Sequence, residues 1–225
     1  MHERTRAFVD FMVRCDVLTF GDFVAKSGRK TPYFVNAGRY RTGAQVAELG
    51  RFYAEVIDDA FGDGVDVLFG PAYKGIPLAV TTAIAMSERH GRDVGFCFDR
   101  KEAKDHGEGG QLVGHPLQDG DRVVVVEDVT TAGTSIRSTL PLLRAAADVE
   151  VVGLVVGVDR RERGTRGDVS ALDELEEEFG LRTVSIASID DVVEHLRDHD
   201  VDGRRVITDD DLDRIAAYRA EFGAA

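Results

Sequence analysis

Val123-Val124-Val125-Val126-Glu127-Asp128-Val129-Thr130-Thr131-Ala132-Gly133-Thr134-Ser135 is the stretch around which the chain is organised. Four valines in a row predict a strand buried on both faces, the pattern of a parallel strand inside an α/β sheet. Two carboxylates come at the strand's carboxyl end, followed by a small, hydroxyl-rich turn with one glycine. From Thr134 onward Ile136, Leu140, Leu142 and Leu143 take up roughly helical spacing. This order of strand, acidic pair, small turn and helix suits a sugar phosphate. Backbone N–H groups of the Thr131–Ser135 turn, at the amino end of the coming helix, can bind phosphate oxygens. Glu127 and Asp128 can accept hydrogen bonds from vicinal ribose hydroxyls. Phosphate on one side and a diol on the other describe a ribose 5-phosphate. The plainer reading, a buried strand with a polar turn, gives the paired acids nothing to do. No Gly-Lys-Ser/Thr closes the turn as in a Walker A loop, and no GxGxxG of a dinucleotide site is present.

The rest of the chain fits a single domain. Its 225 residues are enough to bury a sizeable core, and 43% hydrophobic with 31% charged residues is the balance of a globular protein. No apolar run is long enough to span a bilayer, so no membrane role is expected. The opening MHERTRAFVDFMVR is charged and amphipathic, without the apolar centre of a signal peptide. Cys15 and Cys97 lack metal-like spacing, which predicts a reduced, cytoplasmic setting with incidental thiols. A net charge of −13 argues against a nucleic-acid partner. Of the 28 basic residues only Lys26, Lys30, Lys74, Lys101 and Lys104 are lysines, all in the first half of the chain. Arginine carries the generic surface charge, so these positions are candidates for compact ammonium groups.

Outward from the valine strand, the pattern alternates. A helix is expected over residues 2–14, short strands at 17–20 and 23–24, a turn over 26–32 and a strand over 33–36. A helix over 43–61 ends at Gly62, and a β-rich run at 65–69 meets Gly70-Pro71-Ala72-Tyr73-Lys74-Gly75 and a further helix. Lys74 in that tight loop can meet a diphosphate. A strand at 94–98 leads to Arg100-Lys101-Glu102-Ala103-Lys104-Asp105-His106-Gly107-Glu108-Gly109-Gly110. Here four potential donors or cations, Arg100, Lys101, Lys104 and His106, sit among glycines in an acidic protein. That composition describes a mobile lid, over about 100–115, for a polyanionic ligand. A run at 149–158 ends at Asp159-Arg160. Ser170 caps a helix through Phe179, a strand follows at 183–187, Ser188 starts another helix, and Thr208 with Asp211 caps the last.

VVVVEDVTTAGTS resembles the 5-phosphoribosyl 1-pyrophosphate (PRPP) signature of type I phosphoribosyltransferases, with Glu-Asp where many members have Asp-Asp. KSGRKTPYFVNAG and RKEAKDHGEGG resemble two motifs of the orotate phosphoribosyltransferases, and the likeness runs from about Phe20 to the final YRAEFG. The resemblance implies a type I phosphoribosyltransferase fold over residues 1–225. It has a mainly parallel central sheet flanked by helices, and a small hood from about residues 1–40 and C-terminal elements. It implies transfer of a phosphoribosyl group from PRPP to orotate in pyrimidine synthesis, with Mg²⁺ held through PRPP and water. It also implies a homodimer in which the catalytic loop reaches the neighbouring site.

Carried over position by position, the resemblance makes Lys104 the chief catalytic side chain. PRPP then falls to Lys26, Tyr73, Lys74, Arg100, Lys101, Lys104, His106 and the run Glu127, Asp128, Val129, Thr130, Thr131, Ala132, Gly133, Thr134 and Ser135. Orotate falls to Phe34, Val35, Thr131 and Arg160, with Val35 standing where the family has a second aromatic. The GPAYKG loop is expected to hold a strained non-proline peptide bond. Two alternatives stay open: a phosphoribosyltransferase for another base, such as a purine, and a regulator that keeps the fold to sense PRPP.

Overall fold

The computed structural model describes residues 1–25, 28–104, 110–130 and 133–224. The amphipathic opening folds as α1 (Glu3–Arg14), burying Phe8, Val9, Met12 and Val13. Next come β1 (Leu18–Val24) and β2 (Lys30–Val35), an antiparallel pair that forms its own two-stranded sheet. A single 3₁₀ turn leads to α2 (Gly43–Phe61), whose Thr42 and Gln45 form a reciprocal cap. Then follow β3 (Val67–Phe69), α3 (Gly75–His90), β4 (Gly95–Lys104), β5 (Gly110–Gly114) and β6 (Arg122–Thr130). The chain closes with α4 (Thr134–Ala146), β7 (Glu150–Asp159), α5 (Ala171–Phe179), β8 (Arg182–Ser188), α6 (Ile189–Arg197) and α7 (Asp209–Phe222). Ser170, Ser188 and Thr208 cap α5, α6 and α7 as their sequences predict.

The main sheet has the order β5-β4-β3-β6-β7-β8, parallel throughout except for the antiparallel edge strand β5. The valine run lies at its centre, between β3 and β7, and all four valines are fully buried. Alternation sends Val124 and Val126 to one face, with α1, α2, α3 and α6, and Val123 and Val125 to the other, with α4 and α5. Each face has its own apolar cluster, which is why four successive positions must all be apolar.

Three expectations need correction. The short strands at 17–20 and 23–24 are one strand, interrupted by a register shift between Phe20 and Phe23. The turn expected over 26–32 ends earlier, because β2 already pairs at Lys30 and carries Pro32 inside it. Pro32 has no N–H to donate, and it lies opposite the shifted stretch of β1, where regular pairing is absent. The loop expected over about 100–115 is mostly hairpin: β4 runs on to Lys104, which pairs with Gly110 of β5. Residues 105–109 at its tip lie outside the described residues. The β1–β2 sheet has α7 packed against it, and α1, β1, β2 and α7 all contribute to the main apolar cluster.

Candidate functional site

The acidic pair sits inside the last turn of pairing of β6, not beyond it: Glu127 lies opposite Val156, and Thr130 opposite Asp159. Parallel strands of a sheet end on one side, and loops gather there. The backbone of Glu127 is fixed from below by the Tyr53 hydroxyl of α2, which donates to its carbonyl at 2.6 Å. Tyr53 reaches it past Gly157, where a Cβ would stand 2.9 Å from the hydroxyl.

One strand over, Gly70-Pro71-Ala72-Tyr73-Lys74-Gly75 makes the tight loop between β3 and α3. Both ends of the loop must be glycine: a Cβ at Gly70 would lie 2.0 Å from the Gly75 carbonyl oxygen. The Ala72–Tyr73 peptide is cis, so the non-proline bond expected to be unusual is the one that departs from trans. Asp99 of β4 holds the loop by accepting from the Ala72 N–H at 2.6 Å. The loop delivers Lys74 to Asp128, Nζ to Oδ2 2.8 Å. From β4, the Lys101 ammonium stands 4.8 Å from the centre of the Tyr73 ring, which is two-thirds exposed. Tyr73, Lys74, Lys101 and Asp128 are thereby brought together from three strands, with Arg100 half-buried beside Lys101. An open cavity of about 250 Å³ adjoins them, lined in part by Tyr40, Tyr73, Lys74 and Thr81.

Beyond β6, Gly133 has φ 68° and precedes Thr134 and Ser135, the first residues of α4. A Cβ there would meet the Leu175 side chain at 2.8 Å. The turn can therefore press against α5 while the amino end of α4 faces the strand ends, with its first N–H groups unpaired within the helix. Val129 and Thr130 are the last residues of β6. Lys26, His106, Thr131 and Ala132, together with the side chains of Lys104 and Thr130, lie outside the described residues.

The residues assigned to the base separate. Val35 lines a narrow cavity with Tyr40, Asp128, Gly157 and Val158. Phe34, on the opposite face of β2, is 38% exposed and stacks on Phe23 at 5.5 Å. Arg160, just past β7, is buried among partners that sequence reasoning missed. Its guanidinium pairs with Glu162 at 2.6 Å and lies over the Tyr33 ring at 5.1 Å. Glu162 also pairs with Arg29 at 3.1 Å and accepts from the Tyr218 hydroxyl of α7 at 2.7 Å. Burial works against the charge on Arg160, yet Tyr33 and Glu162 beside it raise its pKa above the ordinary value. Arg160 Nε and the Tyr33 hydroxyl are buried without a hydrogen-bond partner. A guanidinium with an N–H left over suits a carboxylate or carbonyl oxygen of a ligand. The only available signal for Glu162 was the charge-dense run DRRERG, which does not say which acid turns inward.

Glu174 is a second missed residue. Buried in α5, it accepts from the Arg166 N–H at 3.0 Å and pairs with Arg137 of α4 at 2.6 Å. The segment after β7 is thus tied to α4, the helix that begins at Thr134. At this end of the sheet no three His, Cys, Asp or Glu ligand atoms cluster among the described residues. Carboxylates that do not converge, one of them already paired with a lysine, fit an Mg²⁺ ion that arrives on a diphosphate, and do not fit an ion caged by protein alone. Both cysteines are buried, and burial pushes the Cys97 thiol up to about 12, so neither supplies a thiolate nucleophile.

Residues 38–185 match the phosphoribosyl transferase domain family. An orotate phosphoribosyltransferase of Clostridium beijerinckii is 55% identical over 219 residues, covering 97% of each chain. Among solved structures, orotate phosphoribosyltransferase of Francisella tularensis superposes with TM-score 0.81 at 32% identity, over 97% of this chain and 100% of that one. The Mycobacterium tuberculosis enzyme in complex with PRPP gives TM-score 0.61 at 26% identity, over 84% of this chain and 98% of that one.

Proposed function

Because this chain belongs to the phosphoribosyltransferase family, and within it to the orotate phosphoribosyltransferases, we infer how its residues divide the transfer between them. The reaction moves the 5-phosphoribosyl group from PRPP to orotate, giving orotidine 5′-monophosphate and pyrophosphate, in pyrimidine synthesis. Displacing pyrophosphate from C1 builds oxocarbenium character on the ribose, as in glycoside cleavage. The protein's work is therefore positioning, compensation of charge on the leaving group, and exclusion of water.

The amino end of α4 takes the 5-phosphate, and Glu127 and Asp128 take the ribose hydroxyls. Lys74 and Lys101, joined by Arg100, Lys26, Lys104 and His106, compensate the diphosphate. Mg²⁺ bound to that diphosphate would neutralise part of its charge while keeping waters of its own. Arg160 receives the orotate carboxylate, with Val35 against the ring. The Lys74–Asp128 pair is the observation that supports this reading: the cation for the diphosphate and the acid for the diol already stand side by side. Each half of PRPP takes over one member of the pair. The hairpin of β4 and β5 carries the catalytic loop into a neighbouring subunit of a homodimer. Two buried free thiols suit a reducing cytoplasm, and no helix among the described residues is long and apolar enough to cross a membrane.

An absorbance assay with orotate, PRPP and Mg²⁺, run beside uracil, adenine and hypoxanthine, tests the substrate. Loss of the orotate signal that needs both PRPP and Mg²⁺ is expected. Reaction with another base alone would move the protein to a different base specificity, and PRPP binding without any turnover would make it a sensor. Asp128→Asn should lower kcat/KM for PRPP about 10- to 100-fold, the range for losing hydrogen bonds to a charged group. The orotate KM should change much less, and equal changes for both substrates would remove Asp128 from the ribose.

A further inference from the structure

We propose that Asp10, His195 and His199 form a binding site for a zinc-type divalent metal ion that clasps α1 to the end of α6. None of the three side chains is among the residues assigned to the transfer reaction. His195 is in the last turn of α6 and His199 just past its end, the H-x₃-H spacing that places two imidazoles on one face. Asp10 comes from α1, which packs alongside.

The geometry is already convergent. His195 Nε2 is 2.8 Å from Asp10 Oδ1, and His199 Nε2 is 3.3 Å from Asp10 Oδ2. The two rings stack with centres 4.3 Å apart, and all three donor atoms lie within 4.8 Å of one another. Tetrahedral zinc, with bonds of about 2.0–2.1 Å, holds its donors about 3.3 Å apart. A small turn of each ring therefore aims both nitrogens at a point that the carboxylate also reaches. Each Nε2 faces a carboxylate oxygen of Asp10. As ligands, both rings would offer an unprotonated Nε2 with the proton on Nδ1, giving a set of two neutral imidazoles and one carboxylate.

Two nitrogens and one oxygen favour zinc or a neighbouring transition ion over Mg²⁺, which prefers oxygen alone. His195 and Asp10 are mostly buried, at 8% and 16% side-chain exposure, and so are pre-positioned. His199, at 44%, leaves the site open to solvent, so a water can complete the tetrahedron. Arg14, the nearest cation, is 3.8 Å from Asp10 but lies closer to Asp202, at 3.1 Å, and leaves the carboxylate to the histidines. Because α1 leads directly into the hood strand β1, the clasp fixes the base of the hood from outside the site.

The test uses the full-length protein, stripped with EDTA and titrated with ZnCl₂, CoCl₂ or MgCl₂. Zinc is expected to bind at one equivalent and to raise the thermal midpoint by several degrees at about a hundredfold excess over its Kd. Cobalt should develop visible bands of a four-coordinate ion, and magnesium should do neither. His199→Ala, at the most exposed ligand, should keep the metal-free midpoint while losing the zinc shift and the cobalt bands; Asp10→Asn should weaken both. A wild-type protein that shows no zinc shift, or a shift that survives His199→Ala unchanged, would overturn the proposal.

Discussion

Lys104→Ala is expected to lower kcat about 100- to 1,000-fold and to leave the thermal midpoint within about a degree of the parent. The size follows from removing one pre-placed charge at a developing anion, where a single donor is worth that much. The small effect on stability follows from position: Lys104 is the last residue of β4, on the hairpin beside the unpaired edge of the sheet. Three residues earlier the same strand places Lys101 over Tyr73, so β4 already runs along the diphosphate loop. Three more residues carry the chain about 10 Å further, to the pairing of Lys104 with Gly110. The proposed homodimer would use such a lysine on the neighbouring subunit's site. Co-expressed Lys104→Ala and Asp128→Asn subunits test this directly. If the loop is shared, mixed dimers hold one site with both defects and one with neither, and activity exceeds that of either variant alone. Activity no greater than the mean of the two variants would place Lys104 in its own subunit's site. Near-normal turnover of Lys104→Ala would remove it from catalysis altogether.

The main sheet was legible because burial on both faces leaves a mark that no other environment leaves: Val123–Val126 had to be central. The caps at Ser170, Ser188 and Thr208 were legible because capping is local chemistry. The β4–β5 hairpin was not, since Arg100–Lys104 carries the composition of a solvated loop and only its partner strand makes it β. Pro32 inside β2 was hidden for a related reason, as its tolerance depends on the irregular stretch of β1 opposite. At the site, Lys74 and Asp128 could be named from motifs 54 residues apart, but their 2.8 Å contact follows from strand order. Glu162, Glu174 and Tyr218 were missed because an acid in an exposed-looking run and a tyrosine on an amphipathic helix each have an ordinary reading. Only folding shows that Glu162 and Tyr218 surround Arg160.

That surrounding makes Glu162→Ala the most destabilising single change we expect among these residues. Glu162 is 8% exposed and holds Arg160, Arg29 and Tyr218 at once. Without it the buried Arg160 guanidinium has no counter-charge, and breaking such a pair from one side costs about 3–5 kcal/mol. For a chain of this length that is a fall of about 6–20 °C in the midpoint. The damage also spreads to the chain end. The segment after β7 is stitched to α7 by backbone bonds from Arg163 to Phe222 and from Ala224 to Arg161, at 3.0 and 2.8 Å. Glu162→Gln keeps an acceptor for Tyr218 and should fall between parent and alanine. A double variant separates stability from function. Arg160→Met with Glu162→Ala removes both charges together, so much of the lost stability should return. Orotate binding should not return if Arg160 is the group that receives its carboxylate, as proposed. A double variant that is as unstable as Glu162→Ala alone would mean that Glu162 serves Arg29 and Tyr218 first. One that regains its orotate KM would take Arg160 out of the base site.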